Sequence, residues 1–143
     1  MQYHKQLFLH DPDNGVFGDC HRTALACLLD KQPKEVPHFL EGNPDGVEFI
    51  RREREYLETQ GLSLFQVAYA DTIENVLATV GQQNPGLRYI LGGKSPRGTN
   101  HSVVCCGSEI IHDPHPDSGG LVAGIDPDGY CWVDVLIPLG MVA

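Results

Sequence analysis

The stretch GDCHRTALACLLD, residues 18–30, constrains this chain more than any other, because Gly18-Asp19-Cys20 runs directly into good helix formers. Ala24, Leu25, Cys27, Leu28 and Leu29 spread apolar surface around most of the predicted helix. It must therefore be buried on most sides, and the other elements have to pack around it. Cys20 falls at its N-terminus, where unpaired backbone N–H groups and the positive end of the helix dipole favour a thiolate over a thiol. That is the place for a nucleophile on a rigid support.

Partners for such a thiol lie much later, in NHSVVCCGSEIIHDPHPDSGG. His101 opens one short strand pattern and Asp113 closes the next, with Gly107-Ser108 between them as a hairpin turn. Positions 101 and 113 are nearly symmetric about residue 107, and a one-residue bulge absorbs the mismatch. Pairing about that turn is expected to bring His101 and Asp113 within hydrogen-bond reach. The expected roles are Cys20 as nucleophile, His101 as base and Asp113 as the group that fixes the imidazole. For the oxyanion, the backbone N–H of Cys20 and the side-chain amide of Asn14 are the candidate donors. Gly18 and Asp19 at the helix start are candidate substrate contacts. So are Lys94 and Arg97, which would make the Gly-rich loop GGKSPRGTN a positive wall of the cleft, with an ordinary solvated loop as the alternative.

Taken in order, residues 4–10 read as a short extended piece ending in the turn DPDNG. Pro33 and Pro37 bracket a single helical turn. A second helix runs through GVEFIRREREYLETQG, with Val47, Ile50, Arg54 and Leu57 tracing its amphipathic face and Gly61 stopping it. Arg51, Arg52 and Arg54, interspersed with Glu48, Glu53, Glu55 and Glu58, read as a solvated helix face. Residues 62–69 predict a strand, and Asp71-Thr72-Ile73-Glu74 caps a third helix to about residue 82. The second half turns to short Val-, Ile-, Tyr- and Cys-rich runs, the pattern of an antiparallel sheet. The expected fold is α+β, one domain over residues 1–143, with the Cys20 helix packed on the later sheet.

Ten basic against nineteen acidic side chains give a net charge of -9. This balance argues against a nucleic-acid partner held through phosphates and against an anionic membrane surface. No apolar run reaches spanning length, and the N-terminus lacks the pattern of a signal peptide. Five cysteines, an odd number, read as reduced thiols of a cytoplasmic protein, with no cofactor implied. Cys27, Cys105, Cys106 and Cys131 are read as packing. His101, Cys105, His112 and His115 lack metal-ligand spacing, so no metal site is expected. His112 and His115 read as loop histidines, Trp132 as a core residue, and His21 as a surface or rim residue pointing away from Cys20.

N-x-x-x-x-D-C at 14–20, H-S-V-V at 101–104 and H-D-P at 112–114 together resemble the papain-like cysteine peptidases. The pattern is nearest to the leader-peptidase domains of bacteriocin exporters, which cut after a double glycine. It is also similar to small stand-alone proteins of phages and bacteria with a cysteine-helix start and an E-V-P-x-F segment, here Glu35-Val36-Pro37-His38-Phe39. The resemblance implies a papain-like fold and a Cys20-His101-Asp113 triad acting by acyl transfer on a peptide or protein substrate. Where the leader peptidases carry Gln, this chain has Asn14. The 143 residues contain no transporter segment, so only the reaction class is expected to carry over. Peptide-bond hydrolysis is the first expectation, with deamidation or transglutamination using the same triad. A binding or inhibitor module that has lost turnover, and a redox sensor built on Cys20, are the alternatives from other classes.

Overall fold

The computed structural model describes residues 1–141 as three helices and one five-stranded antiparallel sheet. Helix α1 spans Cys20–Leu29, α2 Gly46–Thr59 and α3 Ile73–Gln83. The strands are β1 Leu62–Tyr69, β2 Arg88–Lys94, β3 Asn100–Cys106, β4 Glu109–His112 and β5 Cys131–Pro138, ordered β1-β5-β2-β3-β4 across the sheet. The α+β class expected from the sequence is therefore observed. No described helix is long and apolar enough to cross a membrane.

Alternation along the central strands sends side chains to two cores. Tyr89, Leu91, Val103 and Cys105 pack with Ile73, Val76 and Val80 of α3 on one face. Ile90 and Val104 pack with Leu25 and Cys27 of α1, Phe39, and Leu57 of α2 on the other. From Arg22 to Cys27 every residue of α1 is buried, as its apolar surface requires. The helix ends at Asp30, whose left-handed backbone lets its N–H bond the carbonyls of Ala26 and Cys27.

The predicted hairpin forms with the expected bulge. Val104 pairs with His112, but Cys105 pairs with Ile110, so Ile111 is the extra residue. Regular pairing stops at His112, and Asp113 begins the following loop rather than lying directly opposite His101. The turn is held from both sides. Tyr89 donates its buried hydroxyl hydrogen to the Gly107 carbonyl (2.7 Å), and the Gly107 N–H bonds the Leu87 carbonyl (2.9 Å). Gly107 has φ +59°, and a Cβ there would lie 2.5 Å from the Pro85 carbonyl oxygen.

Residues 4–10 run into the expected turn at Pro12–Asn14 and join no strand of the sheet; the segment is tied down by single bonds such as Gln6 N–H to the Pro114 carbonyl (2.9 Å). Two expectations about α2 need correction. Of the face traced on α2, Leu57 is buried as expected, but Val47 and Ile50 are 80% and 53% exposed. The other buried residue of the helix is Glu53. Glu53 belongs to no solvated face, because it is buried and paired with the half-buried His21 described below. Around it the other charges behave as expected: Arg51 bonds Glu48 and Glu55, and Arg52 bonds Glu48, all near the surface.

Gly107→Ala combines a left-handed backbone with a backbone clash, and is expected to cost about 2 kcal/mol. Urea denaturation of the two proteins measures it; an unchanged midpoint would contradict this account of the turn.

Candidate active site

The start of α1 is fixed by Asp19, only 2% exposed. Its carboxylate accepts hydrogen bonds from the Phe8 N–H (2.8 Å), the Leu7 N–H (3.3 Å) and Arg22 Nε (2.9 Å). This ties the N-terminal segment to the first helical turn and sets the position of Cys20. Helix α1 packs on β3, which brings the half-buried Cys20 beside His101.

His101, 4% exposed, gives its Nε2 to Asp113 Oδ1 at 2.6 Å. Nδ1 is then the ring nitrogen left for Cys20. Asp113 also accepts from the backbone N–H groups of His115 and Gly120, each at 2.8 Å. Lys5 Nζ clamps the same loop through the carbonyls of Asp113 (2.9 Å) and His115 (3.0 Å). The three residues singled out in the sequence are thus brought together.

The electrostatics follow from this arrangement. Burial pushes the Cys20 thiol up, yet the hydrogen bond and charge of His101, the Ser102 main chain and the charge of His21 carry it below its ordinary value. Burial works against protonation of His101 as well. The Asp113 bond, then the thiol, outweigh it and raise the imidazole to about 9. Asp113 is held down to about 2, because His101 and two N–H donors outweigh its burial. The lowered thiol and the raised imidazole both favour the thiolate–imidazolium form of the pair.

Cys20 and His101 stand at the divide between two depressions. A groove of about 710 Å³ on one side is lined by Gln6, Arg97 and His115, among others. On the other side a cavity of about 460 Å³ runs beneath α2 over β2 and β5. Gly18 lines both, and its N–H bonds His10 Nδ1 (3.1 Å).

Other sequence expectations are corrected here. Asn14 lines neither depression; it sits in the exposed 3₁₀ turn Pro12–Asn14, and its Nδ2 donates to Asp11 (2.8 Å). Asp19 lines the cavity, and its carboxylate is bonded to the N-terminal segment and to Arg22. Lys94 and Arg97 do not make a positive wall, because Asp126 neutralises Lys94 (2.7 Å) and Asp117 neutralises Arg97 (2.8 Å). The loop that carries them is a tight turn closed by Ser95 N–H to the Thr99 carbonyl (2.8 Å). His21 does not point to solvent: its Nε2 pairs with Glu53 and its Nδ1 bonds Ser102 Oγ (3.1 Å). Trp132 lines the cavity rather than filling the core. His115 stands edge-on to His101 with ring centres 6.2 Å apart.

Two residues at the site carried no signal in the sequence. Gln6 lines the groove with Cys20 and His101; its Nε2 donates one hydrogen to the Phe8 carbonyl (2.7 Å), and its Oε1 is buried without a partner. Asp134, 4% exposed, faces the cavity from β5. Among the described residues no group of three or more His, Cys, Asp or Glu side chains is placed to hold a metal ion. The remaining cysteines are free; Cys27, Cys105 and Cys131 are buried, and Cys106 ends β3 at the opposite end from His101. No family model, no curated protein and no solved structure matches the chain.

The rate of Cys20 alkylation by iodoacetamide is expected to stay high well below pH 8, and to shift toward ordinary thiol behaviour in His101→Ala. Mass spectrometry at each pH checks it; identical profiles would contradict the pair. Stability carries a separate signature. His21 is raised to about 9, since Glu53 and Asp134 outweigh the burial that disfavours its charge. The folded protein therefore keeps a proton that the unfolded chain releases above about pH 6.5, and stability should fall from there to pH 9. His101 acts in the same sense, but the lowered Cys20 opposes it over that window, leaving His21 as the main contributor. Urea denaturation at pH 6.5 and 9 should show this fall in the wild type and a smaller one in Glu53→Gln. Equal falls would contradict it.

Proposed function

We propose that the chain is a cysteine-dependent hydrolase of peptide or amide bonds, with a papain-like arrangement of its helix and sheet. The observation that carries this reading is the commitment of His101 Nε2 to a triply bonded Asp113 carboxylate, which leaves Nδ1 to a thiol at a helix start. An imidazole held so can take only one orientation and is stabilised as a cation. Elements that merely pack together have no need of such a constellation.

In this reading the Cys20 thiolate attacks the carbonyl carbon of the scissile bond. The backbone N–H of Cys20 and the amide of Gln6, in place of Asn14, receive the negative oxygen. The imidazolium gives its Nδ1 proton to the leaving nitrogen as the C–N bond breaks, forming a thioester. A water molecule then loses a proton to Nδ1 as it attacks the thioester; the C–S bond breaks, the acid product leaves, and the Cys20 thiolate and His101 imidazolium are restored. The two depressions that meet at Cys20 offer room for substrate on both sides of the reacting bond.

A peptide library digested by the intact protein, with products read by mass spectrometry, tests the proposal. Cleavage is expected in the wild type, none in Cys20→Ala, and a loss of about 1,000-fold or more in His101→Ala. Gln6→Ala should lower kcat by about 100-fold with little change in KM. Absence of cleavage and of any acyl adduct on Cys20 would sink the hydrolase reading in favour of a binding module.

A further inference from the structure

The cavity beneath Cys20 has two chemically different zones. Phe39, Leu40, Phe49, Ile50 and Trp132 give it largely apolar walls. Its inner end holds Glu53 and Asp134, two carboxylates that are 5% and 4% exposed. Such burial of charge is costly unless each charge is paired.

Most charges around the cavity are paired internally. Arg22 bonds Asp19, His21 bonds Glu53, and Cys20 and His101 balance each other as thiolate and imidazolium. Asp134 is the exception. Its Oδ1 accepts from the neutral amide of Gln66 (3.1 Å), and among the described residues it forms no ion pair. Its second oxygen takes no hydrogen bond from the described residues, and Asp134 lines the cavity. Gly92, on the neighbouring strand between Ser102 and Trp132, adds no side chain of its own to the floor, where Ile125 lies close over it.

We propose that this cavity is a subsite for a cationic side chain of the substrate, lysine or arginine, whose aliphatic stem lies along the apolar walls and whose charged end meets Asp134. A long basic side chain has the same division, an apolar stem and a polar head. Phe49 and Trp132 among those walls are aromatic, and an aromatic ring face attracts a cation. The net charge of -9 draws cationic substrates toward the protein as a whole. The role of the subsite in choosing a substrate rests on the hydrolase reading above, whereas its binding chemistry does not.

Trp132 is the chain's single tryptophan, so its emission reports on the cavity directly. Butylguanidinium, a free mimic of the arginine side chain, should change the emission of the intact wild-type protein saturably. Butylurea, its neutral counterpart, should bind at least about tenfold more weakly, because it cannot supply the charge. Asp134→Asn keeps the acceptor for Gln66, and should abolish the preference for butylguanidinium while leaving the response to butylurea unchanged. Equal binding of the two compounds by the wild type, no binding of either, or an undiminished preference in Asp134→Asn would each overturn the subsite. Comparison of the two compounds on the wild type requires no variant to fold. Reactivity of Cys20 toward iodoacetamide, measured on the same sample, reports the thiolate separately: an inert thiol with selective butylguanidinium binding rejects the hydrolase and keeps the cation site.

Discussion

Burial of α1 against β3 is the contact on which the rest of the site depends. Cys20 and His101 are remote in sequence, and they meet because the apolar helix Cys20–Leu29 has no stable place except against Val104 and its neighbours. Hydrophobic packing of this kind is not directional. Direction comes from Asp19, whose carboxylate locks the first turn to the N-terminal segment and to Arg22. On the opposite side of His101, the N-terminal segment also braces the Asp113 loop through Lys5 and Gln6. Residues 5–8 therefore touch both halves of the site, although they form no regular element.

A second theme is the pairing of buried charge. Each pair at the site couples a group that burial would neutralise to a partner that restores its charge, as in His101 with Asp113 and His21 with Glu53. Asp134 stands outside this scheme: burial pushes it up to about 6, with the charge of His21 working against that rise and Glu53 adding to it. Its penalty develops below the window in which His21 releases its proton, so the two act on stability at different pH.

Much of the architecture was legible because it depends on local patterns. Three helices, the five strand segments and the bulged hairpin follow from periodicity, turn residues and caps, and the symmetry of His101 and Asp113 about Gly107 needs only a register. What failed to show was tertiary in origin. Apolar periodicity placed Val47, Ile50 and Leu57 inward, but of these only Leu57 is buried, and Glu53, read as part of a solvated face, is buried in a pair with His21. Asn14 had the spacing of an oxyanion donor, yet its amide is captured by Asp11 in a turn three residues long. Gln6, in a segment without secondary structure, has no periodic or spacing signal that would have found it. The charges of Lys94 and Arg97 were visible in sequence, whereas their partners Asp126 and Asp117 lie on a separate loop.

The central claim is that thiol and imidazole exist as an ion pair at neutral pH, and the protonation of His101 in solution tests it most directly. A long-range ¹H–¹⁵N spectrum at pH 7 should show both ring nitrogens of His101 protonated in the wild type. In Cys20→Ala the same ring should titrate at lower pH, having lost the thiolate that stabilises its charge. A neutral His101 imidazole in the wild type at pH 7, or a cation indifferent to the loss of Cys20, would contradict the account.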